Sequence, residues 1–213
     1  FELYTKGVSY RLNNLNKQYL IHNIEFNEGD NIIDVGANIG ELSLSIKEKC
    51  NVNIFAFEPD KIEFGALRKN LPDAKCINKA LWKSEGTLSF YLANETADSS
   101  LFESHNTGKE ITVVATTLDN FFINYLNNDE RVRLLKLEAE GAEPEILEGL
   151  SDENLSRIDY IAADVGPEKG LSEDDTFVEV NKRLNQKFEF IKFNASRVVA
   201  LFKNKNIKSE KIN

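Results

Sequence analysis

The stretch Asn31-Ile-Ile-Asp-Val-Gly-Ala-Asn-Ile-Gly40, with Phe57-Glu-Pro59 further along the chain, decides the fold of this protein. Its apolar first half predicts a strand buried on both faces. Gly36 permits a sharp turn close to a ligand because it has no Cβ, and Gly40 lets the next helix pack close to the strand. Glu58 ends a second apolar run, where a carboxylate can accept hydrogen bonds from both hydroxyls of a ribose. This order is typical of a site for a nucleoside-containing cofactor.

The spacing of the glycines separates two classes of cofactor. A dinucleotide fingerprint reads G-x-G-x-x-G, and its middle glycine lets a pyrophosphate lie against the backbone. The loop here reads Gly36-Ala-Asn-Ile-Gly40, with a side chain where that glycine should stand. A compact methionine moiety has less need of a bare phosphate cradle, so the loop favours S-adenosylmethionine over NAD. A glycine turn without any ligand remains a third interpretation.

Composition and charge argue against nucleic acids and membranes as binding partners. The chain has 213 residues, 41% of them hydrophobic and 29% charged, and a formal net charge of −9. This charge opposes binding to nucleic acid phosphates or anionic lipids. No apolar run approaches the roughly 18 residues that cross a bilayer. We expect a soluble, cytoplasmic protein that binds neither nucleic acids nor membranes, and the sequence does not predict its oligomeric state.

The chain ends and cysteines add two expectations. Cys50 and Cys76 have no spacing typical of a disulfide scaffold or a zinc site, which fits a reducing compartment. Because the sequence contains no methionine, we expect it to begin inside a longer parent sequence.

Alternating strand and helix patterns predict one α/β domain at residues 31–204, after a partly helical lead segment at 1–30 and before a polar tail at 205–213. Two β segments without a helix between them predict an insertion after the third strand, and the last two strands are close enough in sequence to pair only antiparallel. The result is a mostly parallel sheet with one reversed strand. The predicted strands are 31–35, 53–57, 74–81, 87–92, 111–115, 133–137, 160–165, 188–193 and 197–202, and the predicted helices are 40–49, 61–70, 118–127, 144–149 and 172–185. Asp60 is predicted to cap the helix at 61–70.

Four blocks of sequence resemble the FkbM family of methyltransferases. They are Ile33 to Gly40, Phe57 to Pro59, Ser99-Ser-Leu101 with Thr117-Leu-Asp-Asn-Phe121, and Leu135-Lys-Leu-Glu-Ala-Glu-Gly-Ala-Glu-Pro-Glu-Ile-Leu147. The last block is close to the family's L-K-I-D-V-E-G-A-E and is the most specific. The resemblance implies a class I methyltransferase fold with a Rossmann-like seven-stranded sheet, S-adenosylmethionine as cofactor, and methyl transfer to a hydroxyl, often on a sugar or a secondary metabolite.

Ligands in open α/β sheets bind outside the carboxyl ends of the strands, so the ends of strands one, two and three should supply the cofactor contacts. Glu58 is expected to hold the ribose. The other cofactor-binding residues are expected to be Asp34, Gly36, Ala37 and Asn38 at the methionine part, Gly40 in the same loop, and Asn78, Ala80 and Leu81 around the adenine.

The end of the predicted strand 133–137 is expected to carry the catalytic groups. Lys136, Glu138 and Glu140 share one side if the strand continues. Glu138, Glu140 and Asp164 are candidate bases for the acceptor proton, and Lys136 is an adjacent cation that can help to remove it. The alternative is an ion-pair cluster without catalytic role at the start of the helix that begins at Glu143, and it applies above all to Glu140 and Glu143. Magnesium on Glu138 and Asp164 is a further alternative, but no third ligand is identified and we expect no metal.

We predict an S-adenosylmethionine-dependent O-methyltransferase that acts on a hydroxyl of a saccharide or another small molecule. Two other functions stay open. Glu138 and Ala139 stand where the family usually has aspartate and valine, which is compatible with a methyltransferase-like binding module that has lost turnover. The strand, turn and helix alone are compatible with an NAD-dependent oxidoreductase.

Overall fold

A seven-stranded sheet forms the centre of the protein, which a computed structural model describes for residues 4–93, 100–101, 107–166 and 176–207. The sheet order is β3-β2-β1-β7-β8-β10-β9, and every strand is parallel to its neighbours except β10, which is antiparallel to β8 and β9. The predicted sheet with one reversed strand is therefore confirmed. The strands are β1 (Asn31–Val35), β2 (Asn53–Phe57), β3 (Lys75–Ile77), β4 (Ala80–Leu81), β5 (Gly86–Ala93), β6 (Thr107–Thr116), β7 (Val132–Leu137), β8 (Ile158–Asp164), β9 (Phe188–Asn194) and β10 (Val199–Asn204).

Three neighbouring strands, β2, β1 and β7, end level with one another. Val35, the last residue of β1, is paired with Phe57 on one side and with Leu137 on the other. All residues of β1 and β7 are buried, as their apolar runs predict for strands covered on both faces. The residues that follow β1, β2 and β7 consequently meet at one edge of the sheet.

Helices cover both faces of this sheet and enclose two large apolar clusters, one on each side. Asp60 caps α3 as predicted, because its Oδ1 accepts hydrogen bonds from the backbone of Ile62 at 2.6 Å and Glu63 at 3.2 Å. The helices are α1 (Val8–Gln18), α2 (Glu41–Lys47), α3 (Lys61–Asn70), α4 (Leu118–Tyr125), α5 (Glu143–Glu148), α6 (Asp152–Leu155) and α7 (Thr176–Leu184), with a short 3₁₀ turn at Ile21–Asn23.

Both glycines of the loop after β1 are required by their surroundings. Gly36 has a φ of +65°, and a Cβ there would lie 1.9 Å from the carbonyl oxygen of Glu138. Gly40 has a φ of +87°, and a Cβ there would lie 2.7 Å from Leu67 and 2.8 Å from Leu71. The positive φ of Gly36 agrees with the sharp turn predicted there. In addition, Gly36 makes room for the backbone after β7, and Gly40 makes room for α3 and the residue that follows it.

The predicted third strand, 74–81, is wrong as a single element. It is divided into β3 in the large sheet and β4 in a separate three-stranded sheet with the order β4-β6-β5. Asn78 lies between the two, and its side-chain amide donates to the carbonyl oxygens of Glu58 at 2.8 Å and Pro59 at 3.0 Å. These bonds tie the chain to the end of β2 and stop β3. The predicted β insertion is confirmed, since β5 and β6 pair antiparallel.

Some predicted segments lie outside the described residues. They are residues 1–3 of the predicted lead segment, Ser99 of the third block that resembles the family, 172–175 of the last predicted helix, and 208–213 of the predicted tail. In the described ranges, none of the helices is both long and apolar enough to cross a membrane.

Candidate active site

A cavity of about 280 Å³ opens at the edge where β1, β2 and β7 end. It lies between the loop after β1, the end of β2, the residues after β7 and the N-terminal segment, defined here as residues 4–24. Nine of the thirteen predicted site residues line it: Gly36, Ala37, Asn38, Glu58, Ala80, Leu81, Lys136, Glu138 and Glu140.

Glu58 is held rigidly at the cavity wall by two backbone groups. One carboxylate oxygen accepts from the amide of Asn38 at 2.8 Å, and the other accepts from the amide of Asp60 at 2.8 Å. Each oxygen has a second lone pair beyond its bond to an amide, so both can still accept from a ligand when the carboxyl group is ionised. Burial, and then the nearby Glu63, raise the pKa of Glu58 to about 8.

Glu63 on α3 is a second carboxyl group at this end of the cavity, and it belongs to none of the sequence motifs. Burial and the charge of Asp60 raise the pKa of Glu63 to about 7, against a hydrogen bond from Asn38 that lowers it. Asn38 itself has a φ of +50°, and its side-chain oxygen accepts from the amide of Ile39 at 2.7 Å. Asn38 thus connects both carboxyls to the loop after β1.

Lys136 is the centre of a buried network behind the loop. Its Nζ donates to the carbonyl oxygens of Val35 at 2.9 Å and Gly36 at 2.8 Å, and it lies 3.1 Å from both Asp34 and Glu138. Burial alone would lower the pKa of Lys136, but the two carboxylates raise it above the ordinary value, so the ammonium stays charged. Lys136 therefore fixes the turn that carries Gly36.

Glu138 faces the cavity and binds cations on both sides. Its Oε1 accepts from Arg197 at 2.5 Å, and its Oε2 lies 3.1 Å from Lys136. Tyr19 is hydrogen-bonded to Glu138 and also accepts from Arg197 at 3.3 Å. Although burial acts to raise it, these partners lower the pKa of Glu138 to about 2. Such a carboxylate is a weak proton acceptor and a strong anchor for the two cations.

Glu140 lines the cavity in a backbone conformation that side chains rarely adopt. Its φ is +51°, and the next residue, Gly141, has a φ of +100°. The hydroxyl of Ser100 donates to the carbonyl oxygen of Glu140 at 3.3 Å. β7 ends at Leu137, where the predicted strand also ends, so the strand does not continue through residue 140. The chain turns there, and Ala139 lines the cavity together with Glu138 and Glu140.

Four predicted site residues do not line the cavity. Asp34 is 1% exposed and accepts from the hydroxyl of Ser43 at 2.6 Å in addition to its contact with Lys136. Gly40 packs against α3, and Asn78 ties β3 to β2, as described above. Asp164 is 3% exposed and accepts from the amide of Gly166 at 3.1 Å. Among the described residues, no group of three or more histidine, cysteine, aspartate and glutamate side chains is arranged to hold a metal ion.

Sequence reasoning missed the residues that reach the cavity from both ends of the chain. Tyr4, Arg11, Leu15 and Tyr19 come from the N-terminal segment. The last three stand at i, i+4 and i+8, a spacing that marks one face of a helix and was available as a signal. Arg197 precedes β10, and because β10 is reversed its first residues lie beside the end of β8, where Val199 pairs with Asp164. To predict that Arg197 lines the cavity, one would therefore need to know the position of β10 in the sheet.

The comparison with family models identifies the family. The model of the methyltransferase FkbM domain matches residues 34–206. The chain is 29% identical over 183 residues to the 31-O-demethyl-FK506 methyltransferase FkbM of Streptomyces tacrolimicus, which covers 69% of each chain. It is 28% identical over 178 residues to the hexuronic acid methyltransferase AglP of Haloferax volcanii, which covers 78% of this chain and 71% of the relative.

A solved structure with the same fold is that of a candidate rRNA methylase from Clostridium thermocellum. It superposes with a TM-score of 0.55 at 13% identity and covers 89% of this chain and 94% of that protein. At this identity the likeness concerns the fold alone.

Proposed function

The chain belongs to the FkbM family of S-adenosylmethionine-dependent methyltransferases, and on this premise we propose that it methylates a hydroxyl of a saccharide or another small molecule. The observation that carries the proposal is the single cavity into which the loop after β1, Glu58 and the residues after β7 all project. Two relatives favour this class of acceptor, since one is named for an oxygen of FK506 and the other for a hexuronic acid.

The residues of the cavity fit the cofactor. The cavity volume of about 280 Å³ is close to the lower end of the roughly 300–1,000 Å³ that small-molecule sites occupy. Glu58 offers two carboxylate oxygens at a fixed spacing, which suits the two hydroxyls of a ribose. Ala80 and Leu81 supply an apolar wall next to Glu58, which suits an adenine ring.

The chemistry divides between the cofactor and the protein. When bound, S-adenosylmethionine supplies an electrophilic methyl group on a positively charged sulfur. The protein has to align the acceptor hydroxyl, exclude water and take up the hydroxyl proton. We assign the proton to Glu140, because this residue is held in an unfavourable backbone conformation at the cavity wall, and such strain is concentrated at functional sites. Glu138 and Lys136 then act as positioning residues, and Asp164 has no part because it lies outside the cavity.

Calorimetry with S-adenosylmethionine and S-adenosylhomocysteine tests the cofactor site. We expect saturable binding of both ligands, strongly weakened in Glu58→Ala. Transfer of labelled methyl groups to a panel of neutral sugars, hexuronates and polyols then tests the acceptor. A methyl ether formed on a hydroxyl survives mild alkali, whereas a methyl ester on a carboxyl group releases methanol. Alkali-labile product would overturn the hydroxyl assignment, and a cofactor-saturated protein inert toward the whole panel would favour the binding module.

Glu140→Gln tests the proton acceptor. We expect turnover to fall about 10²- to 10⁴-fold, the usual contribution of a general base, with S-adenosylhomocysteine affinity unchanged. Glu148→Gln is the matched control, because Glu148 is on the neighbouring helix, lies outside the cavity and has an exposed side chain. Full turnover in Glu140→Gln would remove Glu140 from the chemistry.

A further inference from the structure

The N-terminal segment forms one wall of the cavity although it precedes the part of the chain that matches the family. The matched domain begins at residue 34, whereas Tyr4, Arg11, Leu15 and Tyr19 all line the cavity. α1 carries Arg11 and Leu15 on the face that packs toward α2. The cavity therefore contains chemical groups that the family match does not account for.

Arg11 and Glu41 form an ion pair in this wall. The guanidinium Nε lies 3.2 and 3.3 Å from the two carboxylate oxygens, and Nη2 lies 3.0 Å from Oε2. The hydroxyl of Tyr4 donates to Glu41 at 2.6 Å. Both charged side chains are mostly buried, with 19% and 18% of their surface exposed. No described residue accepts a hydrogen bond from Nη1 of Arg11, so the guanidinium keeps donors for a ligand.

The other charges around the methionine part of the site are already bound to one another. Asp34, which the sequence placed opposite the ammonium of the cofactor, is buried between Ser43 and Lys136 and does not line the cavity. Glu138 is held between Lys136 and Arg197. Among the described residues that line the cavity, Arg11 and Glu41 form a further ion pair, which lies beside the loop after β1.

We propose that Arg11 and Glu41 bind the amino-acid end of S-adenosylmethionine, with the guanidinium on its carboxylate and Glu41 on its ammonium. A planar guanidinium with spare donors matches a carboxylate, and a carboxylate beside it matches an ammonium, so a fixed ion pair is complementary to a zwitterion. This inference rests on the proposed function and assigns part of the cofactor site to the N-terminal segment.

The test compares two ligands on the full chain. S-Adenosylhomocysteine carries the amino-acid end, whereas 5′-methylthioadenosine has the same adenosine and sulfur without it. For Arg11→Met we expect about 10- to 100-fold weaker binding of S-adenosylhomocysteine by calorimetry, the usual effect of losing a charged hydrogen bond. Binding of 5′-methylthioadenosine should change less than about twofold, which also shows that the variant is folded.

Two control variants make the result specific. Lys17→Met removes one positive charge from the exposed face of the same helix and should change neither affinity. Glu58→Gln should weaken both ligands by a similar factor, because both contain the ribose. Equal weakening of both ligands by Arg11→Met, or no effect on either, would overturn the inference. Failure of the unaltered protein to bind either ligand would instead overturn the proposed function.

Discussion

Lys136 is a single buried residue that holds together several groups behind the cavity. Its ammonium is surrounded by four oxygen atoms, two from backbone carbonyls and two from the carboxylates of Asp34 and Glu138. Desolvating an ion pair is expensive, and the cost is offset only while every member keeps its partners. The stability of the protein is therefore sensitive to the loss of any one member of this network.

Lys136→Met should destabilise the protein strongly. It leaves Asp34 buried with a negative charge and without its cation, and breaking a buried pair in this way costs about 3–5 kcal/mol. The free energy of unfolding from urea denaturation measures the effect. Lys182→Met, which removes an exposed i,i+3 pair with Glu179, should change it by less than about 0.5 kcal/mol. A loss below about 1 kcal/mol in Lys136→Met would contradict the role of the network.

Glu143, at the start of α5, should make stability depend on pH. It is completely buried, with one oxygen accepting from the amide of Ala139 at 2.7 Å, and burial raises its pKa from 4.5 to about 8. Between these values the unfolded chain releases a proton that the folded protein retains. The contribution of Glu143 to folding thus becomes less favourable as pH rises from about 4.5 to 8, by up to about 1.4 kcal/mol per unit.

Glu143→Gln keeps the acceptor for Ala139 and removes the titration. Urea denaturation at intervals between pH 5 and pH 9 should show a gap that opens in favour of the variant as pH rises and becomes constant above pH 8. Glu58 and Glu63 titrate in the same direction in both proteins, so they cancel in the comparison. Parallel stability curves would show that Glu143 does not keep its proton in the folded state.

At the scale of elements, Gly36 allows the loop after β1 to lie close to the residues after β7. A side chain at residue 36 would meet the backbone of Glu138, which cannot move without disturbing the cavity wall. The glycine is thus a packing requirement between two elements, and its effect on the ligand is indirect.

Gly36→Ala should destabilise the protein by at least about 3 kcal/mol, because it combines a positive φ with an overlap between backbone atoms. Gly65→Ala is the matched control, since Gly65 lies within α3 and a Cβ there meets nothing within 4 Å. That substitution should stabilise the protein by about 0.5–1 kcal/mol, the helix preference of alanine over glycine. Thermal unfolding of the two variants gives the comparison, and equal effects would contradict it.

At the scale of the whole molecule, the net charge of −9 opposes binding to the phosphates of RNA. We expect no binding to tRNA or rRNA fragments in filter assays even at about 50 mM salt, where phosphate contacts are strong. Binding that weakens steeply with added salt would contradict a small-molecule acceptor.

Features set by residues close together in the sequence could be predicted, whereas features set by contacts between distant residues could not. β1, β2, the cap at Asp60 and the reversed β10 follow from local patterns, and the structure has them where they were expected. The division of the predicted third strand depended on Asn78 bonding to residues about twenty positions away. Arg197 lies at the cavity because of the position of β10 in the sheet, and Arg11 lies there because of the packing of α1. No sequence motif predicts either position.

The reversed direction of β10 has a practical consequence for experiments. Its first residues stand beside the cavity, so its far end, near Asn204, points to the opposite rim of the sheet. A fluorophore attached through a cysteine at Asn206 would therefore report on global unfolding without touching bound molecules. The same dye at Ser196, two residues from where β9 ends, would sense occupancy directly, and the pair of labels would separate folding from ligand uptake in one instrument.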